Sequence, residues 1–218
     1  MEKITINLPG SEDFFVQEAY KTLRTNLQFC GQDIKVIAFT SCGENEGKST
    51  ISLHTAKSLA EQGKRVLLID ADMRKSVMAG RNAKVQRVCG LCEILTGMKS
   101  VSDCLYTTQF PTLDILFSGK YPPNPVELLG SVYFSKLVKA SRDVYDYIII
   151  DTPPLGMVID AAVIAQVCDG TVLVMSNGMV RYGQAKAVIA QLEKSGSKIL
   201  GVVRNHTGKP RRAYYGKK

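Results

Sequence analysis

The sequence predicts a doubly wound α/β fold, with a mostly parallel sheet flanked by helices. Short runs of consecutive Val, Ile and Leu alternate with longer helix-type patterns between residues 35 and 204. Consecutive apolar residues are typical of strands buried on both faces, as in parallel sheets covered by helices on each side. Gly63, Gly130 and Gly196 punctuate these runs as stops or starts. The repeated order of strand then helix indicates the doubly wound class.

Six predicted strands share this apolar character: Lys35–Ser41, Arg65–Asp70, Leu113–Phe117, Tyr147–Asp151, Thr171–Ser176 and Ile199–Arg204. Helix-type patterns between them cover residues 47–62, 131–145, 160–167 and 181–195. Residues 11–31 form a further, amphipathic helix ahead of the repeat, whose apolar side carries Phe14, Phe15, Ala19, Leu23 and Leu27. We expect Ser11 to be its N-cap and Gly31 its stop.

The bulk composition is that of an ordinary globular protein. The chain has 218 residues, enough for one α/β domain with a large core, and 45% of them are hydrophobic. No signal-peptide pattern is present, and no stretch reaches the roughly 18 apolar residues of a membrane-spanning helix. We therefore expect a soluble intracellular protein.

The cysteines show no spacing typical of a small disulfide framework. Cys89-x-x-Cys92 could be half of a zinc site, but no second such pair follows, and His54 and His206 are the only histidines. We expect reduced, packed thiols rather than bound zinc at all six positions: Cys30, Cys42, Cys89, Cys92, Cys104 and Cys168.

The formal net charge is +8, and part of the excess lies at the C-terminus. The basic residues there are Lys209, Arg211, Arg212, Lys217 and Lys218. A basic end can bind nucleic acid or an anionic membrane surface, or it can simply be solvated. A third interpretation is a substrate tail that must find an acidic or phosphate-bearing site. Residues 208–218 have no periodic pattern, so we expect a flexible tail.

A phosphate-binding loop follows the first predicted strand. The loop and the start of the next helix are expected to bind a nucleoside triphosphate through Gly43, Glu44, Asn45, Glu46, Gly47, Lys48, Ser49 and Thr50. Loop N–H groups wrap the phosphates, and the helix N-terminus adds its partial positive charge. Lys48 is expected to reach the β- and γ-phosphates, Ser49 to bind Mg²⁺, and Thr50 to contact the α-phosphate. We therefore expect three parts: an N-terminal segment with the predicted helix (1–34), a nucleotide-binding domain (35–207) and a flexible tail (208–218).

This loop departs from the strict pattern at its start. Cys42 occupies a position that the strict pattern gives to Gly. Glu44 and Asn45 stand where Pro or Gly is frequent. Asn tolerates positive φ better than most residues, so we expect the loop to form.

Three carboxylates end predicted strands: Asp70 and Asp72 after one, and Asp151 after another. The carboxyl edge of a parallel sheet faces the ligand crevice, although such residues can also merely cap helices. Three together favour metal binding and base catalysis. We expect Ser49, Asp70 and Asp151 to serve Mg²⁺, with Asp151 acting through water. Asp70 or Asp72 would deprotonate an attacking hydroxyl, and Lys48 would complete the catalytic set.

Three motifs together resemble the bacterial tyrosine kinases of capsule and exopolysaccharide synthesis, relatives of the MinD/ParA ATPases. They are Gly47-Lys48-Ser49-Thr50, Asp70-Ala71-Asp72-Met73-Arg74 and Ile150-Asp151-Thr152-Pro153-Pro154, and Asn124-Pro125-Val126-Glu127-Leu128-Leu129 also matches. The resemblance covers nearly the whole chain. It implies a P-loop kinase that uses ATP and Mg²⁺ and autophosphorylates a C-terminal tyrosine cluster, usually in trans.

Two features favour the kinases over the MinD/ParA ATPases. Gly43 stands where those ATPases carry a signature lysine, and the C-terminal tail contains the tyrosine pair Tyr214 and Tyr215. By resemblance these tyrosines are phosphoacceptors, whereas without it they would be a chance pair. The wider branch also places an Asn against adenine, which implies that role for Asn205. His54 is expected to be packed or partly exposed rather than catalytic.

The predicted N-terminal helix carries Glu18-x-x-Lys21-x-x-Arg24, which resembles a family motif for self-association into a ring. Spacing of three residues puts these charges on one helix face. Lys21 replaces an Arg and so lacks its bidentate donor. On spacing alone, a solvated helix face would be the simpler interpretation.

The resemblance also implies partners. It predicts a separate transmembrane activator of the polysaccharide co-polymerase type, a tyrosine phosphatase and no nucleic acid. The kinase would be cytoplasmic and held at the inner face of the membrane by its activator. The alternatives are a MinD/ParA-like ATPase and a non-catalytic nucleotide-binding regulator.

Overall fold

The computed structural model describes residues 2–8, 10, 13–83 and 88–208. These residues form an eight-stranded sheet with the strand order β1-β4-β5-β3-β6-β2-β7-β8. The strands are β1 (Glu2–Lys3), β2 (Val36–Ser41), β3 (Val66–Asp70), β4 (Leu105–Thr107), β5 (Leu113–Leu116), β6 (Tyr147–Asp151), β7 (Gly170–Ser176) and β8 (Ile199–Asn205). All pairs are parallel except β4 with β5.

Helices cover both faces of this sheet. They are α1 (Phe14–Phe29), α2 (Lys48–Ala60), α3 (Leu91–Leu95), α4 (Val101–Cys104), α5 (Pro125–Leu129), α6 (Val132–Val144), α7 (Asp160–Ala165) and α8 (Tyr182–Lys194), with a short π-helix at Ala79–Ala83. No described helix is both long and apolar enough to cross a bilayer.

The predicted mostly parallel α/β class is confirmed, and the six predicted strands are present within one or two residues of their expected ends. Every residue of β2 and β3 is buried, which explains why their apolar residues run consecutively instead of alternating. The strands β1 and β4 and the helices α3 to α5 were not predicted. Each has only two to five residues, which is too short for a recognisable period.

The core is divided into two main layers by the sheet. Ile37 and Phe39 of β2 join a cluster with residues of α1 and α2, including Leu27, Leu53 and Leu59. Val36 and Ala38 join the opposite cluster with residues of α6 and α7, including Phe134, Val138 and Ile164. Alternate residues of one strand therefore anchor helices on opposite faces, which holds the carboxyl edge of the sheet rigid.

Helix α1 packs against α2, but the side that it buries differs from the predicted apolar side. Leu27 is buried, whereas Phe14 and Phe15 are 66% and 52% exposed. The predicted N-cap at Ser11 is wrong, because Asp13 caps the helix instead. Its Oδ1 accepts hydrogen bonds from the N–H groups of residues 15 and 16, at 2.8 and 3.2 Å.

The prediction of six reduced thiols is also wrong, because Cys89 and Cys104 form a disulfide. Cys89 precedes α3 and Cys104 ends α4, and packing of these helices brings the two Cα atoms to 4.9 Å. That separation lies within the usual range for disulfides, although the spacing of the two cysteines does not indicate the contact. The other four cysteines are free thiols. Within the described part of the chain, no cluster of His, Cys, Asp and Glu is placed to bind zinc.

Candidate active site

The phosphate-binding loop connects the end of β2 to the first residue of α2. Gly47, the N-cap of α2, has φ = 84°, and Asn45 has φ = 59°. Two left-handed residues curl the loop back toward the helix axis, so that the helix N-terminus points into the concave side. The expected tolerance of Asn45 for positive φ is confirmed, and the loop forms despite Cys42 and Glu44.

The end of β8 fixes this loop from outside. The Asn205 side chain donates a 2.9 Å hydrogen bond from Nδ2 to the carbonyl oxygen of Glu46. A Cβ atom at Gly47 would displace that same amide, and the positive φ of this residue also favours Gly. Glu46 in turn accepts a 3.2 Å hydrogen bond from the Ser176 N–H at the end of β7. Asn205 therefore lies beside the loop, and its contact with adenine stays a prediction.

Lys48 lies next to the carboxylates predicted at the strand ends. Its Nζ is 2.8 Å from Oδ1 of Asp151 and 3.2 Å from Oγ of Ser49. Both members of the ion pair are buried. Asp151 is also the register partner of Asp70 on the adjacent strand. The structure thus brings together four of the residues expected to handle phosphate and metal.

Asp70 is fully buried at the end of β3, and its carboxylate accepts a hydrogen bond from the Ser76 hydroxyl. Burial and then the neighbouring Asp151 raise the pKa of Asp70 to about 7, against the opposing effects of Ser76 and Lys48. Burial likewise raises the pKa of Asp151, although Lys48 counteracts it. Cations at this site are therefore needed to keep both carboxylates ionised.

Asp72 lies at the surface of a 180 Å³ cavity above the loop, whereas Asp70 does not line it. The cavity is bounded by the loop residues 43–50, by residues of the segment after β3, and by residues 153, 154, 157 and 158. The Asp72 carboxylate accepts hydrogen bonds from the N–H groups of Arg74 and Lys75, at 3.2 and 2.9 Å. This turn directs the segment after β3 along the cavity rim.

Two contacts at this rim were not predicted. Arg74 forms a two-pronged ion pair with Asp160 at 2.8 and 3.0 Å, and Asp160 is completely buried at the start of α7. Lys75 contacts Glu44 of the loop at 2.9 Å. Arg74 belongs to a motif noted in the sequence, but neither Asp160 nor the Lys75 contact has a local sequence signal.

The described residues fit a nucleotide with Mg²⁺. Left-handed Asn45 and Gly47 form a cradle of N–H groups, and Lys48 supplies a cation inside it. No described group of three or more His, Cys, Asp and Glu side chains could hold a metal. Mg²⁺ commonly takes only one or two protein ligands and completes its shell with water and phosphate oxygens. Ser49 beside Asp151 fits that requirement.

The remaining predicted residues lie away from this cavity. Glu18 and Lys21 form a 2.7 Å ion pair on the exposed face of α1. Arg24 instead donates from Nη1 to the Ser58 carbonyl of α2 at 2.8 Å, so it contacts its own chain. His54 is packed as expected.

The His54 ring stacks on Tyr20 at 4.5 Å between centroids. The predicted phosphoacceptors Tyr214 and Tyr215, and the expected flexibility of their tail, lie outside the described residues.

Comparisons with known proteins agree with this geometry. Residues 34–194 match the AAA domain family. The chain is 46% identical over 189 residues to the tyrosine-protein kinase CpsD of Streptococcus agalactiae, covering 87% of this chain and 82% of that protein. It superposes on the kinase domain of the Escherichia coli tyrosine kinase ETK with a TM-score of 0.82 and 30% identity, covering 92% and 80% of the two chains.

The structure also resembles the septum site-determining protein MinD of Pyrococcus horikoshii, solved with Mg-ADP. That superposition has a TM-score of 0.66 and 25% identity, and covers 82% of this chain and 73% of MinD. The agreement is therefore better with the kinase domain than with this ATPase. The chain belongs to the bacterial tyrosine-protein kinases, enzymes built on the nucleotide-binding P-loop fold that MinD also has.

Proposed function

We propose that this kinase transfers the γ-phosphate of ATP to tyrosine side chains, including Tyr214 and Tyr215 of its own C-terminal tail. The observation that carries the proposal is the position of Asp72 on the rim of the nucleotide cavity, beside the buried Lys48–Asp151 pair. An acceptor hydroxyl that enters this cavity meets a proton acceptor and a phosphate-binding loop together.

Different residues of the site would bind the triphosphate, the adenine and Mg²⁺. The backbone N–H groups of residues 43–50 and the Lys48 ammonium would hold the triphosphate, and Asn205 would contact adenine. Ser49, together with Asp151 through water and the nearby Asp70, would hold Mg²⁺. When bound, Mg·ATP supplies the phosphoryl group and a divalent charge that neutralises its oxygens. The Lys48 ammonium would then exchange its Asp151 contact for phosphate oxygens.

We assign the proton transfer to Asp72 rather than Asp70. Asp72 lines the cavity, whereas Asp70 is enclosed and accepts a hydrogen bond from Ser76. A general base must come within hydrogen-bond reach of the proton that it removes. Asp72 can meet an incoming tyrosine hydroxyl directly, whereas Asp70 stays enclosed at the end of β3.

We propose that the tail of one copy enters the site of a neighbour in a ring-like oligomer. The exposed Glu18 and Lys21 of α1 are available for that contact, whereas Arg24 would have to leave Ser58 to take part. Basic tail residues are attracted to the carboxylates and phosphates of the site. Each phosphotyrosine adds about −1.5 to −2 charges, which weakens this attraction and loosens the ring.

The biological setting follows from the family. We propose a role in the synthesis and export of capsular or exopolysaccharide, with a separate transmembrane activator that keeps the kinase at the inner face of the membrane. A tyrosine phosphatase would reverse the modification. The resemblance of three motifs and the names of the relatives support this setting.

The test is to incubate the purified chain with Mg·ATP and to measure ADP release and protein-bound phosphate on the same samples. We expect both for the wild type, and no phosphate on Lys48→Ala or on Tyr214→Phe/Tyr215→Phe. Release of ADP without any protein-bound phosphate would instead identify a MinD/ParA-like ATPase. Binding without any turnover, also after addition of an activator fragment, would identify a non-catalytic regulator.

A further inference from the structure

The nucleotide cavity is lined by more cations than the phosphate-binding loop supplies. The basic side chains on its walls are Lys48, Arg74, Lys75 and Arg81. Lys48 and Arg74 are each held by a buried carboxylate, that of Asp151 and that of Asp160 respectively. Asp160 would be costly to leave unpaired, so Arg74 has little freedom to bind a ligand, whereas Lys48 is already assigned to the triphosphate. Lys75 has a different kind of partner.

The backbone of Lys75 is fixed at the cavity rim. Its N–H donates a 2.9 Å hydrogen bond to Oδ1 of Asp72, in the turn that follows β3. The preceding residue, Arg74, donates to the same oxygen and is anchored by its own ion pair. The Lys75 side chain therefore starts from a defined point between the proposed general base and the phosphate-binding loop.

The ammonium of Lys75 ends on the loop itself, 2.9 Å from Oε2 of Glu44. Both side chains are largely in solvent, with 71% of Lys75 and 41% of Glu44 exposed. Exposed ion pairs of this kind contribute little to stability, because both charges are well solvated and the long side chains lose freedom when they pair. The contact is therefore weak enough to be exchanged for a stronger one.

Glu44 places a negative charge in a loop that has to receive a polyphosphate. The Lys75 ammonium neutralises that charge in the structure. A triphosphate carries more negative charge than one carboxylate and offers several charged oxygens, so it attracts the ammonium more strongly than Glu44 does. The ammonium gains by moving from Glu44 to the phosphate, while the Glu44 carboxylate can turn to water.

The sheet topology indicates which phosphate Lys75 meets. The strands around the site run in the order β3-β6-β2-β7-β8, so β3 and β8 are four spacings or roughly 19 Å apart. Asn205, the proposed adenine contact, ends β8, and Lys75 follows β3. A nucleotide laid across the carboxyl edge with its base near Asn205 has its terminal phosphate nearest Lys75.

We propose that Lys75 recognises the γ-phosphate, and that Glu44 holds this lysine when no triphosphate is bound. The proposal rests on the proposed function, in which the nucleotide is ATP. It assigns to Lys75 the discrimination between ATP and ADP, because ADP ends before the phosphate that Lys75 reaches. When ADP replaces ATP, the Lys75 ammonium would return to Glu44.

The test compares two ligands by titration calorimetry, Mg·ADP and the Mg complex of a β,γ-imido analogue of ATP. For Lys75→Ala we expect the analogue to bind about tenfold more weakly, a loss of about 1.4 kcal/mol, with ADP affinity within about twofold of the wild type. Lys75→Arg should keep most of the analogue affinity. Lys139→Ala, which removes an exposed lysine from α6, serves as the charge-matched control and should change neither affinity.

Repeating the measurement in a Glu44→Gln background distinguishes direct contact of Lys75 with the γ-phosphate from simple neutralisation of the Glu44 charge. If Lys75 touches the γ-phosphate, the loss caused by Lys75→Ala persists when Glu44→Gln is also present. Disappearance of the loss in that background, or equal losses for ADP and the analogue, overturns the proposal. Retained ADP binding shows that the variant is folded. A wild type that binds neither ligand would contradict the proposed function itself, whereas an unaffected Lys75→Ala contradicts only the role of Lys75.

Discussion

Lys48 and Asp151 form a buried ion pair, with Nζ and Oδ1 2.8 Å apart at the carboxyl ends of neighbouring parallel strands. Lys48 opens the helix after β2, and Asp151 ends β6. The lysine that should bind phosphate thus also compensates a carboxylate in the protein interior. The phosphate site and the stability of the fold depend on the same side chain.

This pair predicts a stability effect of Lys48→Ala. The substitution leaves the buried Asp151 without its cation, so the free energy of unfolding should fall by about 3–5 kcal/mol. Urea unfolding without nucleotide measures it. Adding Asp151→Asn to Lys48→Ala should recover part of the loss, because the unpaired charge is then gone. Strictly additive losses in the double variant would mean that the pair is not coupled in solution.

Gly156 predicts a steric effect on the loop. A Cβ atom there would collide with the carbonyl oxygen of Cys42, whereas a Cβ at Gly183 meets nothing within 4 Å. Gly156→Ala should destabilise the fold by about 1–3 kcal/mol through overpacking and weaken nucleotide binding. Gly183→Ala is the matched control and should be neutral or slightly stabilising in its helix. Thermal unfolding and nucleotide titration of both variants check this, and equal effects would refute the collision.

Asp169 predicts a pH dependence of stability. Burial alone would raise its pKa, but hydrogen bonds from Arg142 and from the N–H groups of Val36 and Lys35 lower it below the ordinary 3.8. A lowered pKa in the folded state stabilises the protein above pH 3.8, and this contribution disappears as the pH falls through the folded value.

Asp169→Asn should therefore be less stable than the wild type near neutral pH. The difference should shrink below about pH 4, as the wild-type carboxylate becomes protonated. Urea midpoints across the pH range measure it. Asp143→Asn, which removes an exposed carboxylate from α6, is the charge-matched control. A gap between wild type and Asp169→Asn that stays constant into acid would exclude the lowered pKa.

The assignment of the base predicts separate effects on binding and chemistry. Asp72→Asn keeps the size of the side chain and one acceptor oxygen for the Lys75 turn, so ADP affinity should stay near that of the wild type. Phosphorylation should slow by about 10²–10⁴-fold, the usual contribution of a general base. Single-turnover phosphorylation and ADP titration separate the two quantities. Asp33→Asn, on an exposed connection, is the control. An unchanged phosphorylation rate in Asp72→Asn would instead assign the role of general base to Asp70.

The parts of the fold and site that the sequence predicts are local. The loop around Lys48 is contiguous with its strand and helix, and Asp70 and Asp151 end apolar runs that can only be buried strands. A short window of residues therefore contains the whole signal. Asn45 illustrates this, since its tolerance of positive φ was enough to predict that an irregular loop closes.

The parts that it does not predict depend on distant segments meeting. Asp160 belongs to α7 and Arg74 to the turn after β3, and no spacing pattern connects them. The disulfide of Cys89 with Cys104 arises because two very short helices pack together. Helix α1 shows the same limit, because its periodicity does not reveal that Phe14 lies beyond the edge of the core.

The most direct test is tandem mass spectrometry of the C-terminal peptide after incubation of the full chain with Mg·ATP. Phosphate on Tyr214, on Tyr215 or on both is the predicted result, and it should be absent when the same experiment uses Lys48→Ala. An unmodified C-terminal peptide in a sample that has converted ATP to ADP would contradict the assignment of this cavity as a tyrosine kinase site acting on its own tail.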